Sequence, residues 1–180
     1  EFSVAQVARE EIATELARLS PRELLIPDAL LAQEEFAELF KSAGTALSPL
    51  PGSRFDSSHG ERALKTHYNM LSLDGLGAFS RAELSAAGAL VGYLELTQKG
   101  QKVSLQRIAR VSPAHFMGID AATRRNLELT QTLSGQRGGS LLAGIDRTVT
   151  ASGARMLAGR LAAPLTDVKQ IAARHDAVEA

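Results

Sequence analysis

The segment from Arg81 to Gln98 limits the fold of this chain more than any other, because it is a long helical pattern that is apolar on almost every side. Ser80 and Glu83 stand at the spacing of a capping box and predict where the helix begins. A helix that is apolar all round is normally buried. Gly88 and Gly92 are four residues apart and share a face on which another backbone can approach closely. We therefore expect a central, buried helix.

The composition favours closely packed helices over a β-sandwich. Of the 180 residues, 44% are apolar and 22% charged, as in ordinary globular proteins, while aromatic residues make up only 4%. With no cysteine, disulfides and thiolate metal sites are excluded, and a reducing cytoplasm is the expected location. The longest apolar run, residues 84–94, is far shorter than the ~20 residues that a membrane span needs.

The first half of the chain alternates strand and helix patterns. Strands are predicted at residues 1–4, 24–26 and 45–50, and helices at 7–19 and 29–40. Ser20 to Glu23 has the capping-box spacing and predicts a short helical turn. These strands are too few for a complete sheet domain, and neither end of the chain resembles a natural terminus. We therefore expect a fragment of a longer protein.

The second half is predominantly helical. A capping box beginning at Ser58 predicts a helix to about Met70. After a basic connector, residues 99–110, with strand character around Val103 and Leu105, a further helix is predicted within 118–135, and others at 140–145, 152–162 and 168–180. The predicted fold class is α+β, mainly α, with a first part over residues 1–98 that includes the linking helix 81–98, and a second over 99–180.

The net charge of zero conceals an asymmetry between the two parts. Residues 1–98 carry 8 Lys+Arg against 14 Asp+Glu, and residues 99–180 carry 12 against 6. This sign change predicts two units with different surfaces. It also suggests one possible function, that of an autonomous DNA-binding module that uses the basic second half. Salt-dependent binding of this chain to duplex DNA distinguishes that alternative from a structural segment.

No catalytic, cofactor-binding or metal-binding residues are predicted. The four histidines lack metal-ligand spacing and have no cysteine to complete a ligand set. The stretch from Gly135 to Ser140 lacks both the lysine and the preceding strand of a phosphate-binding loop, and is better interpreted as an interhelical loop. A clustered set of carboxylates is not evident, which disfavours a nuclease.

The helix predicted within Gly118–Gly135 contains two adjacent arginines that could bind phosphate or hold the protein together. Asp120 is its predicted N-cap. Projection at 100° per residue puts Arg125 and Asn126 beside an apolar line, where they need hydrogen-bond partners within the protein. Arg124 points away, pairs with Glu128 and is the only one of the three for which phosphate contact stays open. Structural use of the polar residues is favoured.

The same stretch resembles the MutS family of DNA mismatch repair proteins. Ile119–Leu129, IDAATRRNLEL, is similar to that family's I-D-x-A-T-R-R-N-L-E-L segment. The resemblance continues, in family order, through further segments on both sides: Glu1–Val4, Pro21–Leu25, Ala86–Leu90 with Tyr93 and Thr97–Gln98, Gly139–Leu142, Ile145–Thr150, Arg155–Leu157, Leu161–Leu165 and Arg174–Glu179.

The resemblance implies a non-catalytic piece of a larger protein. It implies the latter part of an RNase H-like α/β connector domain, followed by the first helices of an all-α core, or lever, domain. In the family, the core passes conformational change between the ATPase and the DNA clamp, and the parent protein binds mismatched duplex DNA and hydrolyses ATP with Mg²⁺, as a homodimer. Those activities belong to regions absent here. Asp120, Arg124, Arg125, Asn126 and Glu128 then form a structural motif of the core.

The family's connector also takes part in docking the partner MutL. If that surface includes the helix after Ser58, its contributors here are Glu61, Arg62 and Lys65. The partners that the resemblance implies are thus the other domains of the same chain, a MutL-type protein and, through the parent, mismatched DNA.

Overall fold

A computed structural model describes residues 2–42, 44–98 and 103–179, and shows a mainly α protein of the α+β class. In chain order its elements are β1 (Ser3–Val4), α1 (Ile12–Leu19), β2 (Glu23–Pro27), α2 (Asp28–Leu31), α3 (Glu34–Ser42), β3 (Ala46–Leu50), α4 (Ser57–Tyr68), α5 (Arg81–Thr97), β4 (Ala109–Arg110), α6 (Ala121–Asn126), α7 (Leu141–Ile145), α8 (Ala151–Ala162) and α9 (Val168–Glu179). Short 3-10 turns occupy Arg9–Glu11, Gly52–Phe55, Asp74–Leu76 and Pro113–His115.

The chain forms two compact units that are not consecutive in sequence. The first unit comprises Glu1–Gln6 and Pro21–Val111, and the second comprises Val7–Ser20 and Ser112–Ala180. The chain therefore passes from one unit to the other after residues 6, 20 and 111. The boundary predicted after residue 98 borders residues 99–102, which lie outside the described residues, and it stays a prediction.

The charge asymmetry between the sequence halves does not carry over to the units. By residue type, the first unit holds 10 Lys+Arg and 11 Asp+Glu, and the second holds 10 and 9. The acidic residues of α1 and its preceding turn belong to the second unit, whereas the basic connector up to Arg110 belongs to the first. The sign change between the sequence halves therefore does not give the two units opposite net charges.

Two short parallel ladders form the β structure of the first unit. β1 pairs with β4, Ser3 opposite Ala109, and β2 pairs with β3, Glu23 opposite Ala46. The predicted strand near Val103 and Leu105 was wrong, because the ladder with β1 begins only at Ala109. Leu105 instead packs against the core as a partly buried side chain.

Helices α4 and α5 cross in direct backbone contact. A Cβ placed on Gly88 would lie 2.1 Å from the Cα of Gly60, and one placed on Gly60 would lie 2.1 Å from the carbonyl oxygen of Leu84. Real Cβ atoms do not approach other atoms so closely, so both positions require glycine. The close approach predicted for the glycine face of α5 is confirmed at Gly88, whereas Gly92 has only an ordinary contact at 3.9 Å.

The core of the first unit includes side chains of both crossing helices. Leu64 of α4 and Val91 of α5 are its most deeply buried large side chains, 0% and 1% exposed. They belong to a single cluster that includes residues of both β1 and the segment before β4: Phe2, Val4, Leu73, Ala87 and Ile108. The predicted burial of α5 is confirmed for one face, which includes Ala87, Ala89 and Val91, but not all round or at its end, since Ala86 is exposed and Leu96 is 60% exposed.

The capping predictions had mixed outcomes. The box at Ser80 and Glu83 is present, with both reciprocal hydrogen bonds. The box predicted at Ser20 was wrong, because Ser20 ends α1 in the left-handed conformation and Glu23 begins β2. Asp56, not Ser58, caps α4, because its Oδ1 accepts the His59 N–H at 2.8 Å.

Replacing Gly88 by alanine should destabilise the first unit, because the added methyl collides with the Gly60 backbone and α4 must shift; overpacking of this kind costs roughly 1–3 kcal/mol. Gly92→Ala is the matched control on the same helix. It removes a flexible residue without a clash and should be neutral or stabilising by about 0.5–1 kcal/mol. Urea unfolding followed by tyrosine fluorescence measures this, since both tyrosines lie in the first unit. Equal stability of the two variants would contradict the close crossing.

Candidate functional site

The most distinctive polar arrangement of the second unit is built around α6. Asp120 caps this helix, as predicted, by accepting the Thr123 N–H at 2.9 Å and the Thr123 hydroxyl at 2.7 Å. These two bonds, the hydroxyl first, lower the pKa of the Asp120 carboxyl below its ordinary value. Asp120 thereby fixes where the helix begins and the direction in which its arginines leave it.

The helix is much shorter than the sequence pattern predicts. It ends at Asn126, and Glu128 adopts a positive φ of 47°. The Glu128 carboxylate does not extend a helical pair with Arg124; it accepts the Leu133 N–H at 2.6 Å. Its carbonyl oxygen accepts the N–H of Leu141, the first residue of α7. The turn at Glu128 thus redirects the chain, and the projection that aligned Leu129 and Leu133 on one helical face was wrong.

Arg124 is the arginine that the fold uses internally. Its Nε donates to the Ile119 carbonyl at 2.9 Å, and its Nη1 donates to the Ala162 carbonyl, at the end of α8, at 2.6 Å. Arg125 and Asn126, which the projection placed at a buried seam, are exposed. The two assignments are therefore exchanged: Arg124 joins segments of the unit, and Arg125 faces outwards.

The guanidinium of Arg124 is incompletely satisfied. Its Nη2 is buried and has no hydrogen-bond partner among the residues that the structure describes. Desolvation lowers the pKa of Arg124, and the positive charge of Arg18 lowers it further. Buried polar groups are nearly always hydrogen-bonded, so this unpaired donor is an exception that needs an explanation.

Arg18 of α1 forms the second cationic element of the site. Its Nη2 lies 2.6 Å from the Glu15 carboxylate, which also accepts from Nε, and both side chains are only 13% exposed. The guanidinium carbon lies 5.0 Å from the centre of the Phe116 ring, a cation–π distance. The charge of Arg18 is therefore balanced by Glu15, and its side chain is held in place by Glu15 and Phe116.

A cavity of about 620 Å³ lies between these elements within the second unit. Its described lining residues include no acidic side chain, but three arginines. The remaining wall is small, apolar or neutral-polar: Ala17, Leu19, Ser20, Ala121, Leu129, Thr130, Gln131, Thr132, Leu133, Gly135, Leu142, Ala158, Gly159 and Ala162. The arginines are Arg18, Arg124 and Arg125, so the described lining carries positive charge, of which Glu15 balances that of Arg18.

The first unit contains an ion pair that the sequence pattern did not reveal. Glu83, 4% exposed, receives the Arg110 guanidinium at 2.6 Å and 2.8 Å while it also completes the cap of α5. Arg110 further donates to the Ala78 carbonyl and lies over the Phe79 ring. The hydrogen bond from Arg110 lowers the pKa of Glu83 below 4.5. The stabilisation that this ion pair gives the folded protein is therefore present above pH 4.5, and it is lost as the pH falls through the lowered pKa of Glu83.

The three residues predicted for partner docking lie on α4 as expected, but they are not equivalent. Glu61 and Lys65 form an ion pair with each other at 2.7 Å across one helical turn. Arg62 is exposed and forms no ion pair with another described residue. Of the three side chains, Arg62 is the one whose charge is least committed within the chain.

No group of three or more His, Cys, Asp or Glu side chains that could hold a metal ion occurs within residues 2–42, 44–98 and 103–179. Over the same residues, none of the helices combines the length and the hydropathy that a membrane-spanning segment requires.

Comparison with known proteins gives matches over the whole chain. Residues 1–108 match the family model of MutS domain II, and residues 122–180 match that of MutS domain III. The chain is 50% identical over 180 residues to the DNA mismatch repair protein MutS of Rhodopseudomonas palustris (strain BisB18), all of this chain and 20% of that protein. The proteins of the same name from Paracoccus denitrificans and Azorhizobium caulinodans are 52% and 48% identical over 177 residues, 98% of this chain and 20% and 19% of theirs. The chain thus spans about a fifth of the length of these relatives.

Arg124→Met should loosen the second unit locally, because it removes the links to the Ile119 and Ala162 carbonyls. Hydrogen bonds to charged groups contribute about 1.5–3 kcal/mol each, so amide exchange in α6 and at the end of α8 should accelerate strongly. Arg125→Met, one position along the same helix and exposed, is the control and should exchange like the unmodified protein. Hydrogen-exchange mass spectrometry makes the comparison. The same exchange rates in both variants would show that Arg124 does not join these segments.

Proposed function

We propose that this chain, which belongs to the MutS family, is a non-catalytic connector–core segment of a DNA mismatch repair protein. The observation that carries the proposal is the succession of MutS domains II and III along one chain, at residues 1–108 and 122–180. In this proposal, the complete cytoplasmic protein binds mismatched duplex DNA and hydrolyses ATP with Mg²⁺, as a homodimer, through regions other than these 180 residues. The segment transmits conformational change between those regions and docks a MutL-type partner.

The construction of the first unit supports a transmitting role. A segment that transmits conformational change has to be rigid. The direct backbone contact at Gly60 and Gly88 leaves no space for α4 and α5 to move closer together. β4, the last strand before the chain enters the second unit, pairs with β1 and is fastened by the Arg110–Glu83 ion pair. The chain leaves this unit for the first time after β1 and for the last time after β4. Because β1 and β4 are paired, the two chain segments are held side by side where they leave the ladder.

A more flexible connection between the two units should weaken the coupling between ATP binding and mismatch binding in the complete protein, without abolishing either activity. We expect two glycines inserted between Val111 and Ser112 to leave mismatch binding and basal ATP hydrolysis intact, and to reduce the factor by which ATP changes the Kd for mismatched duplex. That factor is the coupling free energy between the two sites. Two glycines inserted after Leu71, which is 99% exposed in a loop of the first unit, serve as the control. Fluorescence anisotropy with and without ATP measures both variants. Unchanged coupling in the Val111 insertion would refute the transmitting role.

The docking role predicts a dependence on the exposed charge of α4. Arg62→Glu in the complete protein should weaken recruitment of the MutL-type partner, because it reverses the uncommitted cation of this surface. Lys41→Glu, an exposed charge reversal on α3 of the same unit, should leave recruitment unchanged. Pull-down on mismatched duplex in the presence of ATP provides the measurement. Undiminished recruitment by the Arg62 variant would remove α4 from the docking surface.

A further inference from the structure

We infer that α1 is a releasable helix: the charge of Glu15 holds it in the second unit, and it can leave while the remainder of that unit stays folded. The strands before and after α1, β1 and β2, belong to the first unit, whereas α1 itself belongs to the second. Residues 7–20 also lie inside the match to MutS domain II, while the match to domain III begins only at residue 122. The second unit therefore contains a helix that the domain II sequence supplies.

The apolar contact that holds α1 in place is small. Leu16 is the buried residue of this helix, and Leu19 is 59% exposed. α1 packs against α6, and residues of both helices, Ala17 and Leu19 among them, line the cavity of about 620 Å³. In the first unit, by contrast, Leu64 and Val91 are almost completely buried beside the glycine contact. Segments with few buried apolar contacts open at a lower free energy than a closely packed core, so α1 should open before α4 and α5 do.

Hydrogen bonds between α1 and other described residues do not add to this contact. The side chains of Arg18 and Glu15 bond to each other, and the N–H and hydroxyl of Ser20 donate to carbonyl groups of α1. The polar contact that reaches beyond the helix is that of the Arg18 guanidinium with the Phe116 ring, at 5.0 Å. Since unpaired buried polar groups are costly, it matters that α1 can leave without depriving a described residue of the second unit of a hydrogen bond.

The charge of Glu15 makes the docked position of α1 favourable. Burial lowers the pKa of Arg124 on α6, and the like charge of Arg18 on α1 lowers it further. The negative charge of Glu15 acts in the opposite direction on Arg124, and its carboxylate lies 2.6 Å from the Arg18 guanidinium. Asp120 also acts favourably on Arg124, but it is the cap of α6 and stays there when α1 leaves. Of these two acids, Glu15 is therefore the one that docking of α1 supplies.

Release of α1 makes one connection between the two units longer and more flexible. A helix of eight residues is not stable by itself in water, so α1 unfolds when it leaves. The chain between β1 and β2 then has no fixed point in the second unit, while the connection after Val111 is unchanged. The functional consequence rests on the proposed function: docked α1 contributes to transmission between the ATPase and the mismatch site, and released α1 does not.

Hydrogen-exchange mass spectrometry on the complete protein tests the inference. Amides of α1 should exchange faster than those of α5 and α6. Glu15→Gln should accelerate the exchange of α1 about tenfold or more and leave that of α6 unchanged, because Arg18 and Arg124 then lose the acid that acts on both. Glu10→Gln, which neutralises an exposed acid in the turn before α1, is the matched control and should have little effect.

A double variant separates the charge of Glu15 from its other contributions to the helix. Glu15→Gln/Arg18→Gln should exchange more slowly in α1 than Glu15→Gln alone, because it also removes the cation that repels Arg124. If Glu15 supported α1 only through packing or helix propensity, the second substitution would not restore any protection.

The inference fails if α1 exchanges as slowly as α5, if α1 and α6 open together, if the Glu15 and Glu10 variants exchange alike, or if the double variant exchanges no more slowly than Glu15→Gln. The Kd of the Glu15→Gln protein for mismatched duplex, with and without ATP, tests the functional consequence. A smaller effect of ATP is expected, and an unchanged effect would exclude α1 from transmission. If the unmodified complete protein does not prefer mismatched duplex, the proposed function is wrong, whereas the release of α1 is decided by the exchange rates alone.

Discussion

The direct contact between Gly60 and Gly88 is the constraint on which the first unit depends. Because neither helix carries a side chain at the crossing, α4 and α5 approach closely enough for Leu64 and Val91 to be almost completely buried beside it. β1 and the segment before β4 then pack on the same cluster. A residue larger than glycine at the crossing would separate the helices and reduce the burial of everything that packs on them.

The second unit is held together differently, by arginine side chains that join distant segments. Few of its described apolar side chains are buried. Arg124 links the start of α6 to the end of α8, and Arg18 is held by Glu15 and Phe116. Arg137 is likewise paired with Asp146 at 2.5 Å. Three arginines, Arg18, Arg124 and Arg137, thus make contacts within the unit, whereas others such as Arg125 and Arg155 are exposed. The unit as a whole is nearly neutral.

The sequence predicted best what local chemistry decides. The caps at Ser80 and Asp120 are present because each depends on a side chain and an N–H three residues later. Ser20 has the same pattern, yet the β2 strand that follows pairs with β3 and overrides it. The internal role of Arg124 could not be predicted because its second acceptor, the Ala162 carbonyl, lies 38 positions away in the sequence. The ion pair of Glu83 with Arg110 joins residues 27 positions apart and leaves no periodic signal.

We infer that Arg18, Arg124 and Arg137 serve to join segments of the second unit, and that this chain by itself does not bind duplex DNA tightly. The most direct measurement is the binding of the 180-residue protein to a fluorescent duplex between about 50 and about 200 mM salt, with folding verified on the same sample. The account predicts only weak binding that disappears over this range, as expected of nearly neutral units. Tight binding at the higher salt, with a steep log–log salt slope of about −0.9 for each phosphate contacted, would contradict it and support an autonomous DNA-binding module.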